Sequence, residues 1–233
     1  MHGVILLAAG SGKRMGNIID DKILEPIGRS NAFRMSFHAF AKVEAIEVYV
    51  IVFRDEEQRD ELEKEINEFK FSKRNKTILL IKGGKERSDS VQNGLNALPK
   101  ACQFAHIHDC ARPMIRRETI ETLVSEVSQN KAVVIARPVT NTIRRKLASD
   151  EISPTETLPR TELWEMETPQ SAPISWLVEG YERAKEMNIE ITDDMHAIEL
   201  LSKKMAFLKP AYANPKVTHL HDIKFISSLM NHE

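Results

Sequence analysis

Five short apolar runs punctuate the first 136 residues, with helix-like stretches between them. The runs are Val4 to Ala9, Glu47 to Phe53, Thr77 to Lys82, Phe104 to His108 and Ala132 to Ala136. Each is too short for a helix and too continuously apolar for a one-sided strand, so each predicts a buried parallel strand. Between them the apolar period changes to that of a helix. Phe33, Phe37 and Phe40 mark one face of Asn31 to Lys42, and Leu62, Ile66 and Phe69 one face of Asp55 to Phe69. Val91, Leu95 and Leu98 do the same for a third helix, and Ile120, Leu123, Val124 and Val127 for a fourth over Thr119 to Gln129. Further on, Pro173 to Met187 predicts a helix with proline at its start. Thr192-Asp193-Asp194 predicts the cap of another through Ala197, Ile198 and Leu201. A strand near Met205 to Leu208 and a helix over Asp222 to Met230 close the chain. This alternation predicts the α/β class, with one doubly wound, mostly parallel sheet. The 233 residues suit a single domain over 1–233.

Composition excludes several classes. Apolar residues make up 42% and charged residues 29%, as in a globular chain rather than a disordered one. A net charge of −1 argues against bulk nucleic-acid binding. No apolar run approaches a membrane span, and the first lacks a cleavage pattern. Cys102 and Cys110 form neither a disulfide framework nor a Cys-x-x-Cys motif. The expected location is the cytoplasm, with no membrane and no nucleic-acid partner.

The first strand runs into Ala8-Ala9-Gly10-Ser11-Gly12, then Lys13, Arg14 and, after a gap, Lys22. Small residues let the backbone approach a ligand, and successive N–H groups can make an anion-binding concavity. With three cations nearby, the segment suits a polyphosphate. It is not a P-loop, because Leu7 and Arg14 stand where Gly and Ser or Thr are needed. It is not the dinucleotide fingerprint either, because Met15 replaces the third glycine. A plain glycine turn that binds nothing is the alternative, and the clustered cations fit it poorly.

A second strand–glycine–helix junction is Gly83-Gly84-Lys85-Glu86-Arg87-Ser88-Asp89-Ser90-Val91. Backbone N–H groups with the hydroxyls of Ser88 and Ser90 can hold a base or phosphate there. Helix capping by Ser88 or Asp89 explains the same residues. The fourth strand ends in Asp109, followed by Arg112-Pro113. A carboxylate just past a strand end lies where such sheets bind ligands, and it suits Mg²⁺. His106 and His108 on that strand predict ordinary strand histidines rather than metal ligands. Asp194 and His196 likewise predict a capping carboxylate and a surface imidazole. Arg137 to Leu163 holds no long apolar period. Thr140 to Arg145 and Ile152 to Leu158 are expected to pair there as an extended hairpin arm. An excursion of that length in a compact domain is usually functional.

In their order along the chain, these motifs resemble the 2-C-methyl-D-erythritol 4-phosphate cytidylyltransferase family. The resemblance is carried by Ala8-Ala-Gly-Ser-Gly-Lys-Arg14-Met, Lys22, Gly83-Gly-x-x-Arg87-x-x-Ser90-Val and His108-Asp-x-Ala-Arg112-Pro. It continues through Asn141-Thr142-Ile-x-Arg, Arg160-x-x-Leu-Trp164, Thr168-Pro-Gln, Thr192-Asp and Asn214-x-Lys216-Val-Thr. It implies a Rossmann-like nucleotidyltransferase fold with a protruding β-arm over 139–163, and transfer of CMP from CTP to the sugar phosphate. It implies catalytic roles for Arg14, Lys22 and Lys216, and CTP binding by Ala8, Ala9, Gly10, Ser11, Gly12, Gly83 and Ser90. Asp109 is implied as the Mg²⁺ ligand. Asp109, Arg112, Thr142, Arg160, Thr168 and Thr192 are implied as contacts to the sugar phosphate. A homodimer joined through the arm is also implied, with Thr142 and Arg160 crossing to the partner.

The chain departs from the family pattern at a few places. Asp21, after Asp20, replaces the proline usual before the loop lysine. Two carboxylates there weaken nucleotide binding unless they are turned away. Lys85 replaces a common Asp, Cys110 a common Ala, and Asp194-Met195 a Glu-Ala pair. Two other readings compete: a ribitol-5-phosphate cytidylyltransferase, and a nucleotide-binding module of the same fold without catalysis. No Ser-His-Asp or Cys-His arrangement is needed, because a phosphate monoester, with its second pKa at about 6, is already largely a dianion at neutral pH.

Overall fold

A computed structural model describes residues 1–10, 21–71, 76–129 and 131–230. In chain order the elements begin with β1 (His2–Leu7), β2 (Pro26–Ile27), β3 (Ser30–Asn31), α1 (Ala32–Ala41), β4 (Ile46–Phe53) and α2 (Glu56–Asn67). Next come β5 (Thr77–Lys82), α3 (Arg87–Ala97), β6 (Phe104–Asp109), α4 (Arg117–Val127) and β7 (Ala132–Pro138). The chain then forms β8 (Ile143–Lys146), β9 (Thr155–Leu158), a 3₁₀ turn and β10 (Trp164–Pro173). It ends with α5 (Ile174–Glu186), α6 (Asp194–Leu200), β11 (Met205–Leu208) and α7 (Leu220–Met230).

The sheet has seven strands in the order β11-β7-β10-β6-β1-β4-β5. The pairs β1–β4, β1–β6, β4–β5 and β11–β7 are parallel. The expected α/β sheet is therefore present, and it is mixed. β10 runs antiparallel to both β6 and β7. Nothing in the apolar pattern marks β10, because Thr168-Pro169-Gln170-Ser171 reads as a turn. Those residues are nevertheless buried at the sheet centre, next to a register shift between Met166 and Gln170. This reversed strand has a consequence for the site. Its early residues, Glu167 and Thr168, lie beside the carboxyl end of β6.

Helices cover both faces of the sheet. Phe33, Phe37 and Phe40 of α1 pack in one core with Leu62, Ile120, Leu123, Ile223 and Ile226 from α2, α4 and α7. Val91, Leu95, Leu177, Tyr181, Ala197 and Ile198 from α3, α5 and α6 fill the other. α3 lies very close to β1, for a Cβ on Gly94 would sit 2.6 Å from Ile5 Cγ2. Asn31 and Asp55 cap α1 and α2 through their side chains, at the residues where the polar-to-apolar switch predicts helix starts. The segment after β7 carries a two-stranded antiparallel sheet of β8 and β9, paired from Ile143–Leu158 to Lys146–Thr155. Most of its residues are exposed, Ile152 at 95%.

His106 and His108 are fully buried in β6. His106 Nδ1 pairs with Ser171 Oγ at 2.8 Å, and its Nε2 with His2 Nδ1 at 3.1 Å. His108 lies against Phe40, with ring centroids 5.2 Å apart. Among the described residues no three His, Cys, Asp or Glu side chains gather as a metal group. Burial lowers both imidazoles from 6.5 to about 3, so both are neutral. A depressed imidazole pKa favours the folded state at and above pH 6.5 and loses that contribution as pH falls towards 3. Unfolding free energy should therefore fall between pH 7 and 5, by up to about 1.4 kcal/mol per pH unit for each ring. Urea titrations across this range test it with His106→Asn, which should flatten the slope. An unchanged slope would show that His106 does not titrate on unfolding.

Candidate active site

Four parallel strands, β5, β4, β1 and β6, deliver their carboxyl ends to one side of the sheet. The loops that follow them line a cleft of about 370 Å³. Ala8, Ala9 and Gly10 follow β1, Arg54 follows β4, Gly84 to Arg87 follow β5, and Asp109 ends β6. Lys22 and Lys216 close the cleft from two other segments. Among the described residues its charged lining comprises Lys22, Arg54, Lys85, Arg87 and Lys216 against Glu86 and Asp109. A local cationic surface therefore stands on a chain of net charge −1. Such a cleft with low-dielectric walls attracts anions.

The β1 loop is set by backbone bonds. Ala8 N donates to Val52 O at 2.9 Å, and Gly83 N donates to Phe53 O at 2.8 Å. A Cβ on Gly83 would come within 2.8 Å of both Ala9 Cβ and Ser90 Oγ, so only glycine lets the two loops close. Lys22 reaches over Gly10, where a Cβ would lie 3.8 Å from Lys22 Nζ. Ser90 holds the glycine turn together. Its Oγ accepts from Gly84 N at 3.1 Å and donates to Glu86 O at 3.2 Å. Glu86 is the N-cap of α3, and Asp89 completes a capping box by accepting from Glu86 N at 3.0 Å. Of the two expected caps, Asp89 acts at this end of the helix. Ser11, Gly12 and Arg14, expected in the same loop, lie outside the described residues.

Asp109 is the electrostatic centre. Its Oδ1 faces Arg87 Nε at 3.2 Å, and its Oδ2 faces Lys216 Nζ at 2.5 Å. Burial alone would raise this carboxyl, but Arg87 and Lys216 outweigh it and hold it well below the usual carboxylate range. Arg87 also forms a fork with Asp194, Nη1 to Oδ1 at 3.2 Å and Nη2 to Oδ2 at 2.8 Å. Burial opposes the Arg87 charge, yet Asp194 and Asp109 together push its pKa up. Asp194 is wholly buried and also accepts from Tyr181 OH at 2.6 Å. The helix cap expected of Asp194 is instead Asp193, whose side chain accepts from His196 N at 2.9 Å. Gln170 locks this start of α6, its Oε1 accepting from Asp194 N at 2.8 Å and Met195 N at 3.1 Å.

The other expected contacts to the sugar phosphate divide by position. Thr168 is buried, and its hydroxyl accepts from Asp109 N at 3.1 Å. The hydroxyl then donates to His108 Nδ1 at 3.1 Å, while His108 Nε2 donates to Arg112 O at 3.2 Å. A neutral His108 with its proton on Nε2 satisfies this whole chain. Arg112 donates from Nη1 to Asn214 O at 3.1 Å, and its Nε is buried with no partner. Asn214 Oδ1 accepts from Met114 N at 3.0 Å, and Val217 N donates to Ala111 O at 2.7 Å. These bonds dock the segment that carries Lys216. Thr192 is exposed beside His196, and Thr142 and Arg160 are exposed next to the β8–β9 pair. None of these three lines the cleft, and neither do Thr168 and Arg112, which lie behind Asp109 and Ala111. Arg87 was legible only as part of a motif, and Asp194 and Arg54 were not assigned to the site. The one available signal was charge at an element end: Arg54 follows the last residue of β4, and Asp194 is the first residue of α6.

Comparison with known proteins gives a consistent result. The family model for 2-C-methyl-D-erythritol 4-phosphate cytidylyltransferase matches residues 2–232. The chain is 33% identical to the enzyme of that name from Clostridioides difficile, over 100% of this chain and 95% of that one. It is 32% identical to the chloroplastic protein of that name from Oryza sativa, over 98% of this chain and 74% of the other. Among solved structures it resembles 4-diphosphocytidyl-2C-methyl-D-erythritol synthase from Anaerococcus prevotii, with a TM-score of 0.83, 22% identity, and coverage of 99% and 98% of the two chains. The cytidylyltransferase structure from Thermus thermophilus gives 0.74 at 19% identity, covering 99% and 100%. At those identities the structural likeness shows the fold.

The buried Arg87–Asp194 fork joins α3 to α6 behind the cleft. Orphaning a buried charge typically costs about 3–5 kcal/mol, but Arg87 keeps Asp109 when the Asp194 charge is removed. Asp194→Asn should therefore lose about 1–3 kcal/mol in urea unfolding, the scale of lost hydrogen bonds to a charged group. A change below about 1 kcal/mol would show that the fork does not hold the two helices together.

Proposed function

The chain belongs to the 2-C-methyl-D-erythritol 4-phosphate cytidylyltransferase family, and on that premise we propose how its own residues carry the reaction. It is a nucleotidyltransferase of isoprenoid precursor biosynthesis. It transfers CMP from CTP to 2-C-methyl-D-erythritol 4-phosphate and releases pyrophosphate. The observation that carries this assignment of roles is the cationic cleft around the small-residue loop after β1.

In the proposed reaction a phosphate oxygen of the sugar phosphate attacks the CTP α-phosphorus. A new P–O–P link forms, and the bond between the α-phosphorus and the bridging oxygen to the β-phosphate breaks, so that pyrophosphate leaves. The attacking dianion needs no protein base. The chain has to align two anions and stabilise charge as it develops. Backbone N–H groups of Ala9 and Gly10 face the triphosphate, Ala8 lines the loop with its own N–H bonded to Val52 O, and Gly83 and Ser90 shape the floor on which the nucleotide rests. Lys22 stands over the phosphates, beside Gly10; a catalytic role for Arg14 is part of the same proposal. Lys216 approaches from the opposite side, towards the sugar phosphate, with Arg112 beneath it bonded to Asn214 O in the segment that carries Lys216; a contact from Arg112 to the sugar phosphate is part of the proposal. Thr168 acts through Asp109 and His108 by fixing their orientation.

A divalent metal fits the donor set. Mg²⁺ is usually held by one or two carboxylates together with substrate phosphates and water. Asp109 is one such carboxylate, kept ionised at the cleft. Asp109 would hold the ion, which would supply charge neutralisation on the phosphates. The described residues contain no helix long and apolar enough to cross a membrane, and a cytoplasmic location is part of the proposal.

The deciding assay is pyrophosphate release with CTP, Mg²⁺ and each sugar phosphate. Release with methylerythritol phosphate is expected. Equal or faster release with ribitol 5-phosphate would overturn the substrate, and none with either would favour a binding module. In the same assay Lys22→Ala should lower kcat by about 10² to 10³ with a smaller effect on the KM for CTP. A purely raised KM would assign Lys22 to ground-state binding instead.

Each site is proposed to be built from two chains, with Thr142 and Arg160 serving the neighbour's cleft through the 139–163 arm. Both residues are exposed and outside their own cleft, which supports the crossing. Lys22→Ala and Arg160→Ala should each be nearly inactive as homodimers. A mixed dimer of the two carries both lesions at one site and none at the other, so activity should return on subunit exchange. Absence of rescue, with the heterodimer confirmed by native mass spectrometry, would reject the shared site.

A further inference from the structure

Asp21 stands immediately before Lys22, and its carboxylate is turned away from the cleft into a compact set of bonds. One oxygen, Oδ1, accepts from Ile23 N at 3.1 Å. The other, Oδ2, accepts from Gln58 Nε2 in a short bond and from Arg54 Nη1 at 3.4 Å. Its main-chain oxygen accepts from Leu24 N at 3.2 Å and Glu25 N at 3.1 Å, so residues 21–25 form a tight turn. Gln58 of α2 is the hub and is only 2% exposed. Its Nε2 also donates to Ala8 O at 3.0 Å, and its Oε1 accepts from Arg54 N at 2.6 Å. One buried amide thus joins three cleft segments: the loop after β1, the end of β4 and the turn carrying Lys22. Both amide hydrogens of Gln58, its carbonyl oxygen and both oxygens of Asp21 find partners inside this set.

We propose that Asp21 is a positioning residue for Lys22: through Gln58 it fixes the Lys22 turn against the loop after β1, placing the ammonium over Gly10. The inference rests on the transferase reading for what Lys22 does, and on geometry alone for how Lys22 is held. Arg54 belongs to the same device. Asp55 Oδ2 holds its Nε at 2.6 Å, and its guanidinium balances the Asp21 charge while lining the cleft.

The chemistry of the set dictates the test. Asp21 must accept at both oxygens. In Asp21→Asn one amide orientation sets NH₂ against Gln58 Nε2 and Arg54, and the other sets it against Ile23 N. The size is unchanged and the turn loses its anchor. Misplacing an aligned group by about 1 Å can cost on the order of 100-fold in rate. Asp21→Asn should therefore lower kcat about 10-fold to 100-fold in the otherwise unmodified chain. In a Lys22→Ala background it should cost less than about 3-fold, because there is no ammonium left to misplace. A general structural role would give the same loss in both backgrounds, and that result overturns the proposal, as does a loss under about 3-fold in the unmodified chain. Melting curves establish folding. If Asp21→Asn does not fold, the same cycle is run with Gln58→Met, which removes the contacts from the helix side. Loss of folding in both variants also overturns the proposal, since the set would then serve the fold at large.

Calorimetric titration with CTP and Mg²⁺ separates the two levels. A chain that binds CTP yet releases no pyrophosphate sinks the transferase reading, and the cycle is then read on CTP affinity, with the same non-additivity expected. A chain that binds no CTP overturns both.

Discussion

The geometry of the cleft depends on one guanidinium held between two carboxylates. Arg87 stands at the first turn of α3, Asp109 at the end of β6 and Asp194 at the first turn of α6. These elements have little else in common, since α3 and α6 lie on one face of the sheet and β6 lies within it. The two ion pairs give them a shared reference point. The arrangement is costly to desolvate, and two opposite charges offset the loss where one would not. Tyr181 adds a further donor to Asp194, so no carboxylate oxygen there is left dependent on water. Asp109 is consequently fixed in place and in charge before any ligand arrives.

That fixation explains the odd strand. β10 breaks the parallel order of the sheet, and doing so brings Thr168 to Asp109 N and Gln170 to the start of α6. A parallel strand in the same slot would present its carboxyl end here instead, with a loop rather than a buried residue behind Asp109. The polar residues of β10 are thus buried because each has a specific partner: Ser171 with His106, Gln170 with Asp193 and Asp194, Thr168 with His108. Buried polar groups are tolerated when satisfied.

Most of the architecture was legible in the sequence for a simple reason. Strands buried on both faces are continuously apolar, and helices with one buried face are periodic; both patterns survive in a single chain. β5 and β11 match their expected bounds, and the Asn31 and Asp55 caps fall at the expected helix starts. β10 escaped because its burial is polar and its proline mimics a turn. Within the site, Lys22, Lys216, Asp109 and the glycine turn were legible as motifs. Asp194 was not, because a carboxylate at a helix start looks like a cap, and only the tertiary position of Arg87 distinguishes the two. Ser90 lines the cleft, as its motif implies, and its hydroxyl also closes the Gly83–Gly84 turn. The acidic pair before Lys22 leaves two outcomes open in the sequence, a weakened anion site or carboxylates turned away. For Asp21 the outcome is a carboxylate facing inward, where burial raises its pKa against the hydrogen bonds that lower it.

Several cations of the cleft are therefore already paired. Arg87 and Lys216 are matched to Asp109, and Arg54 to Asp21 and Asp55, within the chain itself. Side chains held this way cannot swing to meet an anion, and they do not have to. Their partners already orient them towards the space between the loops, so little reorganisation remains when charge arrives. Preorganised groups of this kind stabilise developing charge more effectively than mobile ones, whose ordering must be supplied at the moment of reaction. The compensation also limits ground-state attraction, because part of each positive field is already neutralised. A cleft built this way favours the state with the most negative charge over states with less, which is the selectivity that phosphoryl transfer between two anions requires.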